Sequence, residues 1–259
     1  MFDEKIVDLK GYNASMQKSL MDKAFFLDKV DATVFIDFGC ADGALIEYMR
    51  KLFPKHNFIG YDISQTELDL AYQRLGDGVF LTKNWDDAIT QAKQCGGKIA
   101  VICNSLIHEV YAYGDSAGVE EFWNFVFDPD VDYVVIRDMC LSQSANRPAD
   151  PLTVAKVRRN TDIPMLQEFE TIWGSIDDNQ HLTHYLLKYR YTKNWAREVA
   201  ENYLPLTYEY FIRQFPKAYQ LEFAEHYTLP FLKKQLAKDF NIDLQERTHA
   251  KFILAKTAT

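Results

Sequence analysis

The chain lacks paired cysteines. Its four, Cys40, Cys95, Cys103 and Cys140, are scattered with no Cys-x-x-Cys. That argues against a thiolate zinc site and a disulfide framework, and for a reducing, cytoplasmic setting. No long apolar run occurs, and the opening MFDEKIVDLKGYNASMQ has no apolar signal core, so neither a membrane span nor a leader is expected. Positive charge is in deficit: 29 Lys+Arg against 37 Asp+Glu leave −8. This excludes a generally basic nucleic-acid coat, though not a local basic patch. No Gly-x-x-x-x-Gly-Lys-Ser/Thr is present, which removes a P-loop, and no His-Glu-x-x-His, so no metal site is expected. Apolar residues and rings are plentiful, at 47% and 14%. They suffice for a large core and a ring-lined pocket. The 259 residues fit one elaborated domain, or one domain with a sizeable insertion.

Strand and helix patterns alternate through the first 140 residues. A helical spacing of Leu20, Met21, Phe25, Leu27 and Val30 predicts an N-terminal helix over 15–30. Short β-branched and aromatic runs predict strands at 33–39, 56–63, 78–85, 98–106 and 131–139. Between them, helical patterns follow Gly39, Ser64, Trp85 and Gly118. Ser64 with Glu67 three residues on reads as a capping box. Five strands alternating with helices predict a doubly wound, mostly parallel α/β sheet with helices on both faces, a three-layer fold.

At Cys140 the rhythm breaks. Residues 141–218 have no strand run, and helical patterns occupy 181–204 and 208–215, so a mainly helical insertion or lid is expected there. It carries a net charge of +1 against −9 for the rest. A helix with Thr228 as N-cap then spans 228–240, and 242–257 reads as two strands able to pair antiparallel. The expected division is 1–140 with 219–259 as one domain, and 141–218 as the insertion.

The first strand leads into Asp37-Phe38-Gly39-Cys40-Ala41-Asp42-Gly43, and the second ends in Gly60-Tyr61-Asp62-Ile63. In open α/β sheets ligands sit beyond the carboxyl ends of the strands. Glycine lets a ligand approach the backbone, and an acid about 20 residues later can accept both ribose hydroxyls. A dehydrogenase fingerprint would need glycine where Ala41 and Ala44 stand. This pattern resembles that of the class I S-adenosylmethionine-dependent methyltransferases, whose first motif is usually acid-x-Gly-x-Gly-x-Gly; here Ala41 replaces the middle glycine. The resemblance covers the chain outside 141–218. It implies a Rossmann-like fold, S-adenosyl-L-methionine as cofactor and S-adenosylhomocysteine as product. It also implies a cofactor site of Asp37, Gly39, Ala41, Gly43, Asp62, Ile63, Asn84, Trp85, Asn104 and Ser105.

Methyl transfer is an in-line displacement in which positioning does much of the work, and a base is required only where the acceptor must lose a proton early. The Asn/Asp-Pro-Pro-Tyr/Phe motif of exocyclic-amine DNA methylation is missing, as are the Pro-Cys nucleophile of cytosine carbon-5 methylation and the Cys-x-x-x-Cys-x-x-Cys of radical enzymes. His108 and Glu109 follow the fourth strand, with Tyr111 nearby. They read either as a general base or polar clamp on the acceptor, or as a helix-start histidine beside a solvated acid. Arg137, next to Asp138, reads either as an acceptor contact or as an ion pair closing the strand end. The insertion interleaves rings and basic groups, among them Lys188, Arg190, Trp195 and Arg197. That pattern suits phosphate and base contacts, or an amphipathic lid with snorkelling cations. The expected function is methyl transfer to an unidentified acceptor (RNA, nucleotide or small metabolite). The alternative is an inactive cofactor-binding module serving as a partner or regulatory subunit.

Overall fold

The computed structural model describes residues 19–257. The start of the expected N-terminal helix, residues 15–18, lies outside them. Within them that helix is short, α1 (Leu20–Lys23), and the chain continues in turns that bury Phe26.

Seven strands form one sheet: β1 (Val34–Phe38), β2 (Asn57–Tyr61), β3 (Phe80–Thr82), β4 (Ile99–Asn104), β5 (Tyr133–Met139), β6 (Tyr219–Tyr227) and β7 (His249–Lys256), in the order β3-β2-β1-β4-β5-β7-β6. The first five pair in parallel; β7 runs antiparallel to β5 and to β6. The order reverses between β1 and β4, so the crevice at their carboxyl ends is the switch point.

The pleat sends alternate β1 residues to opposite faces. Val34, Ile36 and Phe38 join one core with α4 (Trp85–Cys95), α5 (Ile107–Tyr113) and α6 (Ser116–Val126). Phe35 joins the other with α2 (Ala44–Leu52) and α3 (Gln65–Leu75). All five β1 residues are buried, as a parallel strand covered on both faces requires.

Three expectations at the ends need correction. The partner of β7 is not 242–247 but β6, which precedes α12 (Pro230–Phe240). Residues 242–247 are irregular, and their Ile242 and Leu244 are buried in the helical core instead. The N-cap of α12 is Leu229, while the Thr228 hydroxyl donates to Glu246 O. At Ser64 only half of the capping box forms as drawn: Oγ accepts from Glu67 N, but the Ser64 N–H donates to Asp62 Oδ1.

Residues 141–218 hold α7 (Pro151–Asn160), α8 (Ile163–Trp173), α9 (Asn179–Lys188), α10 (Trp195–Ala200) and α11 (Tyr208–Gln214). Their core is shared, for Leu232, Leu236 and Phe240 of α12 belong to the same cluster as Phe169, Tyr185 and Leu186. Among the described residues no helix is long and apolar enough to cross a membrane.

Candidate cofactor and acceptor site

The turn after β1 is held in a conformation that favours glycine. Gly39, Ala41 and Gly43 have φ of 77°, 45° and 73°. The N–H groups of Gly39 and Cys40 both donate to Tyr61 O, at 2.8 and 3.0 Å. The Ala41 N–H donates to Asp62 Oδ2 at 2.9 Å, and Asp62 Oδ1 accepts from Ser64 N at 2.8 Å. One carboxylate thus ties together the turns after β1 and β2, and holds Ala41 where a Cβ is disfavoured. Gly43 has a packing reason as well, because a Cβ there would stand 2.6 Å from Leu75 Cδ1.

Above this turn opens a cavity of about 800 Å³, within the range of small-molecule sites. Its wall includes Asp37, Gly39, Ala41, Asp62, Ile63, Asn104 and Ser105. Asp37 closes one end, 3% exposed. Burial pushes its carboxyl up to about 7, with nearby Asp62 adding to the shift and Lys23 opposing it. Lys23, from α1, lines the same cavity. Burial, then Arg137, brings its ammonium down to about 8. Asn104 Oδ1 is buried and accepts no hydrogen bond among the described residues. Ser105 has a φ of 54°, and its N–H donates to Arg137 O at 2.7 Å.

Several expected residues lie elsewhere. Gly43 is not in the cavity wall. Asn84 caps α4, accepting from Asp86 N and Asp87 N. Trp85 is 4% exposed and packs among Phe38, Tyr61 and Phe125. Neither lines the cavity.

The acceptor-side residues are split. Glu109 lines the cavity; His108 and Tyr111 do not. The Tyr111 hydroxyl accepts from Trp123 Nε1. His108 Nδ1 lies 2.6 Å from Asp138 Oδ1, and Nε2 lies 3.3 Å from Glu201 Oε1. Burial pulls the His108 imidazole down, but Asp138 and then Glu201 overcome it and hold it at about 10. A ring kept in its cationic form has no lone pair with which to act as a general base. Arg137 is ion-paired, but with Asp22 and not with its neighbour Asp138, which bonds His108: Nε donates to Asp22 Oδ2 at 2.9 Å and Nη1 to Ser105 Oγ at 2.7 Å, and the residue is 3% exposed.

The insertion turns its rings and cations largely inward. Lys188 is fully buried; Nζ donates to Glu201 O at 2.6 Å and lies 4.5 Å from the Tyr203 ring centroid. Burial lowers its ammonium to about 7. Arg190 lies over the Phe231 ring, and Trp195 Nε1 donates to Glu168 Oε2. None of the three reaches the cavity. Arg197 does, with Nη2 donating to Glu109 Oε1 at 3.2 Å.

Lys23 and Tyr113 line the cavity but belong to no motif, and Arg197 is one of several cations in the insertion sequence. A single lysine on an apolar helix carries no spacing signal. A buried cation is written with the same letters as a snorkelling one.

No family model matches the chain, and no curated protein matches it. Solved structures do. The methyltransferase domain of bacterial CtHen1 is 17% identical, with 94% of this chain and 99% of that one covered and a TM-score of 0.47. The plantazolicin methyltransferase BamL, in complex with a triazolic desmethylPZN analog and SAH, is 14% identical over 97% and 88%, at 0.46. The pyocyanin biosynthetic protein PhzM is 14% identical at a TM-score of 0.52, with 98% of this chain aligned to 60% of that one. The fold is that of the class I methyltransferases. In this methyltransferase fold the switch-point turn, the acid after β2 and the antiparallel β7 stand where the sequence resemblance put them.

Proposed function

We propose that the chain binds S-adenosylmethionine in this cavity and transfers its methyl group to a small acceptor. The observation that carries the reading is the pairing of Asp62 with the Gly39–Gly43 turn at the mouth of an 800 Å³ cavity. The residues present fit the cofactor. A carboxylate has about four lone-pair sites, and Asp62 commits two to backbone N–H groups, which leaves acceptors for a ribose diol. Asp37 suits the amino group and Lys23 the carboxylate of the methionine portion. The unbonded Asn104 Oδ1 is a further acceptor in the same wall. When bound, the cofactor supplies an electrophilic methyl on a sulfonium.

The chain's own part is positioning. The cavity wall continues past the turn along Glu109, Tyr113, Phe122 and Phe125, a ring-lined space beside the cofactor residues that a sealed regulatory module would not need. This wall holds seven carboxylates against two cations, Lys23 and Arg197, which opposes a polyphosphate. With Lys188 buried and Arg190 over Phe231, a small molecule is a better acceptor than RNA. Calorimetric titration of the full chain with S-adenosylhomocysteine tests the reading: one site per chain is expected, and no binding at millimolar ligand would overturn it.

A further inference from the structure

Behind the Glu109 wall of the cavity lies a cluster that neither the cofactor nor the apolar core accounts for. His108, Glu109 and Glu201 each offer one ligand atom, and these atoms lie within 4.8 Å of one another. Asp138 Oδ1 sits on His108 Nδ1 at 2.6 Å, which turns Nε2 toward Glu201. An imidazole oriented by a carboxylate on one nitrogen, with the other aimed at acids, is the usual setting of a metal-ligating histidine. A second observation points the same way. The Glu201 side chain is 2% exposed, and its Oε1 faces His108 Nε2 at 3.3 Å without a hydrogen bond of good geometry among the described residues. A buried carboxylate oxygen held by one long contact is poorly compensated, and a cation between it and Nε2 reduces that cost.

We propose that His108 Nε2, Glu109 and Glu201 form a site for one divalent cation, whose binding displaces the proton on Nε2 to free its lone pair. One imidazole and two carboxylates suit Mn²⁺ or Zn²⁺ better than Mg²⁺ or Ca²⁺, which favour all-oxygen shells. Arg197 occupies the approach. It lines the cavity, and its Nη2 lies 3.2 Å from Glu109 Oε1 and 3.6 Å from Glu201 Oε2. An incoming ion therefore competes with the guanidinium for both acids. The acid excess of the cavity wall favours entry of a cation.

Three protein ligands leave open positions, as in catalytic metal sites, and Glu109 puts the ion at the cavity wall. Here the inference rests on the methyl-transfer reading. An acceptor hydroxyl bound to the ion becomes more acidic. An amine acceptor would instead have its lone pair tied up by the metal. The acceptor class is therefore a hydroxyl compound.

The test titrates MnCl₂ into the full chain without cofactor and follows free Mn²⁺ by electron paramagnetic resonance. One bound ion per chain is expected. Glu109→Gln and Glu201→Gln should each weaken binding about tenfold or more, and Arg197→Met should tighten it by removing the competitor. Glu109, on the cavity wall, keeps the test open if the buried Glu201 variant fails to fold. Absence of Mn²⁺ binding in both the wild type and Arg197→Met would mean a closed ion-pair network and overturn the site. S-adenosylhomocysteine is titrated separately. If it binds while Mn²⁺ does not, the metal site falls and the cofactor reading stands. If Mn²⁺ binds and it does not, the site stands without its acceptor role.

Discussion

Replacing Asp62 with alanine tests the cofactor site most directly. The carboxylate is engaged in the free protein, accepting the Ala41 N–H at 2.9 Å and the Ser64 N–H at 2.8 Å. Two kinds of loss follow, and they separate experimentally. In the complex, the variant forfeits charge-assisted hydrogen bonds to the ribose, about 1.5–3 kcal/mol. That corresponds to an affinity roughly ten to a hundred times weaker. In the free protein, two backbone N–H groups lose their acceptor, and Ala41 loses the bond that holds it at a φ of 45°. Burial offsets part of this, because it already disfavours the ionised Asp62 carboxyl and raises its pKa. A modest fall in melting temperature is therefore expected beside a large fall in affinity. Asp62→Asn keeps the shape and one acceptor oxygen but removes the charge, and should fall between wild type and alanine in affinity. Calorimetry with S-adenosylhomocysteine measures the first loss and circular-dichroism melting the second. A folded Asp62→Ala protein with unchanged affinity would refute the ribose assignment.

Asp37 gives a pH dependence of opposite sign in two assays. Its carboxyl is raised to about 7 in the folded chain, so cofactor affinity should fall below pH 7, by up to about tenfold per unit, as the partner of the amino group takes a proton. The free protein should instead gain stability from this residue on acidification between about pH 7 and 4, since the folded state binds the extra proton. Asp37→Asn should flatten both profiles, and an unchanged pH dependence in that variant would remove Asp37 from the site. Gly39→Val should abolish binding and lower the melting temperature. A β-branched residue is strained at a φ of 77°, and its Cβ would stand 3.0 Å from Leu106 Cδ1; wild-type binding by this variant would refute the close approach. Deleting 141–218 should yield an insoluble or molten protein, checked by near-ultraviolet circular dichroism, because it strips the cover from Leu232, Leu236 and Phe240; a cooperative melt in the truncated chain would show instead that the insertion is a detachable lid.

Most of the sheet was legible because its signals are local. The central parallel strands β1, β4 and β5 are buried on both faces and so read as short apolar runs, and the switch-point turn needs residues that can adopt positive φ. The last strand pair was not. β6 is an edge strand whose burial is patchy, with Glu222, Glu225 and His226 in its length, and a charged edge has little apolar pattern. Its partner lies beyond a whole helix, and nothing local favours that distant pairing over the neighbouring IDLQER, whose Ile242 and Leu244 serve another core.

Charge was the least legible property, for a physical reason. A lysine letter carries no burial, and burial decides what a lysine does. Lys188 and Lys23 look alike in the sequence, each on an apolar helix. Lys188 ends inside a box of rings, bonded to a carbonyl, and holds the insertion together. Lys23 ends in the cavity near Asp37 and Asp42 and is available to a carboxylate. The same holds for His108, which the motif placed at an acceptor-facing position and the fold turned away from the cavity, toward Asp138 and Glu201. Between it and the cavity stand Glu109 and Arg197. Among the described residues the insertion sends one side chain to the cavity wall, Arg197, and sets Glu201 behind it, so the metal titration of these acids comes before any search for a base.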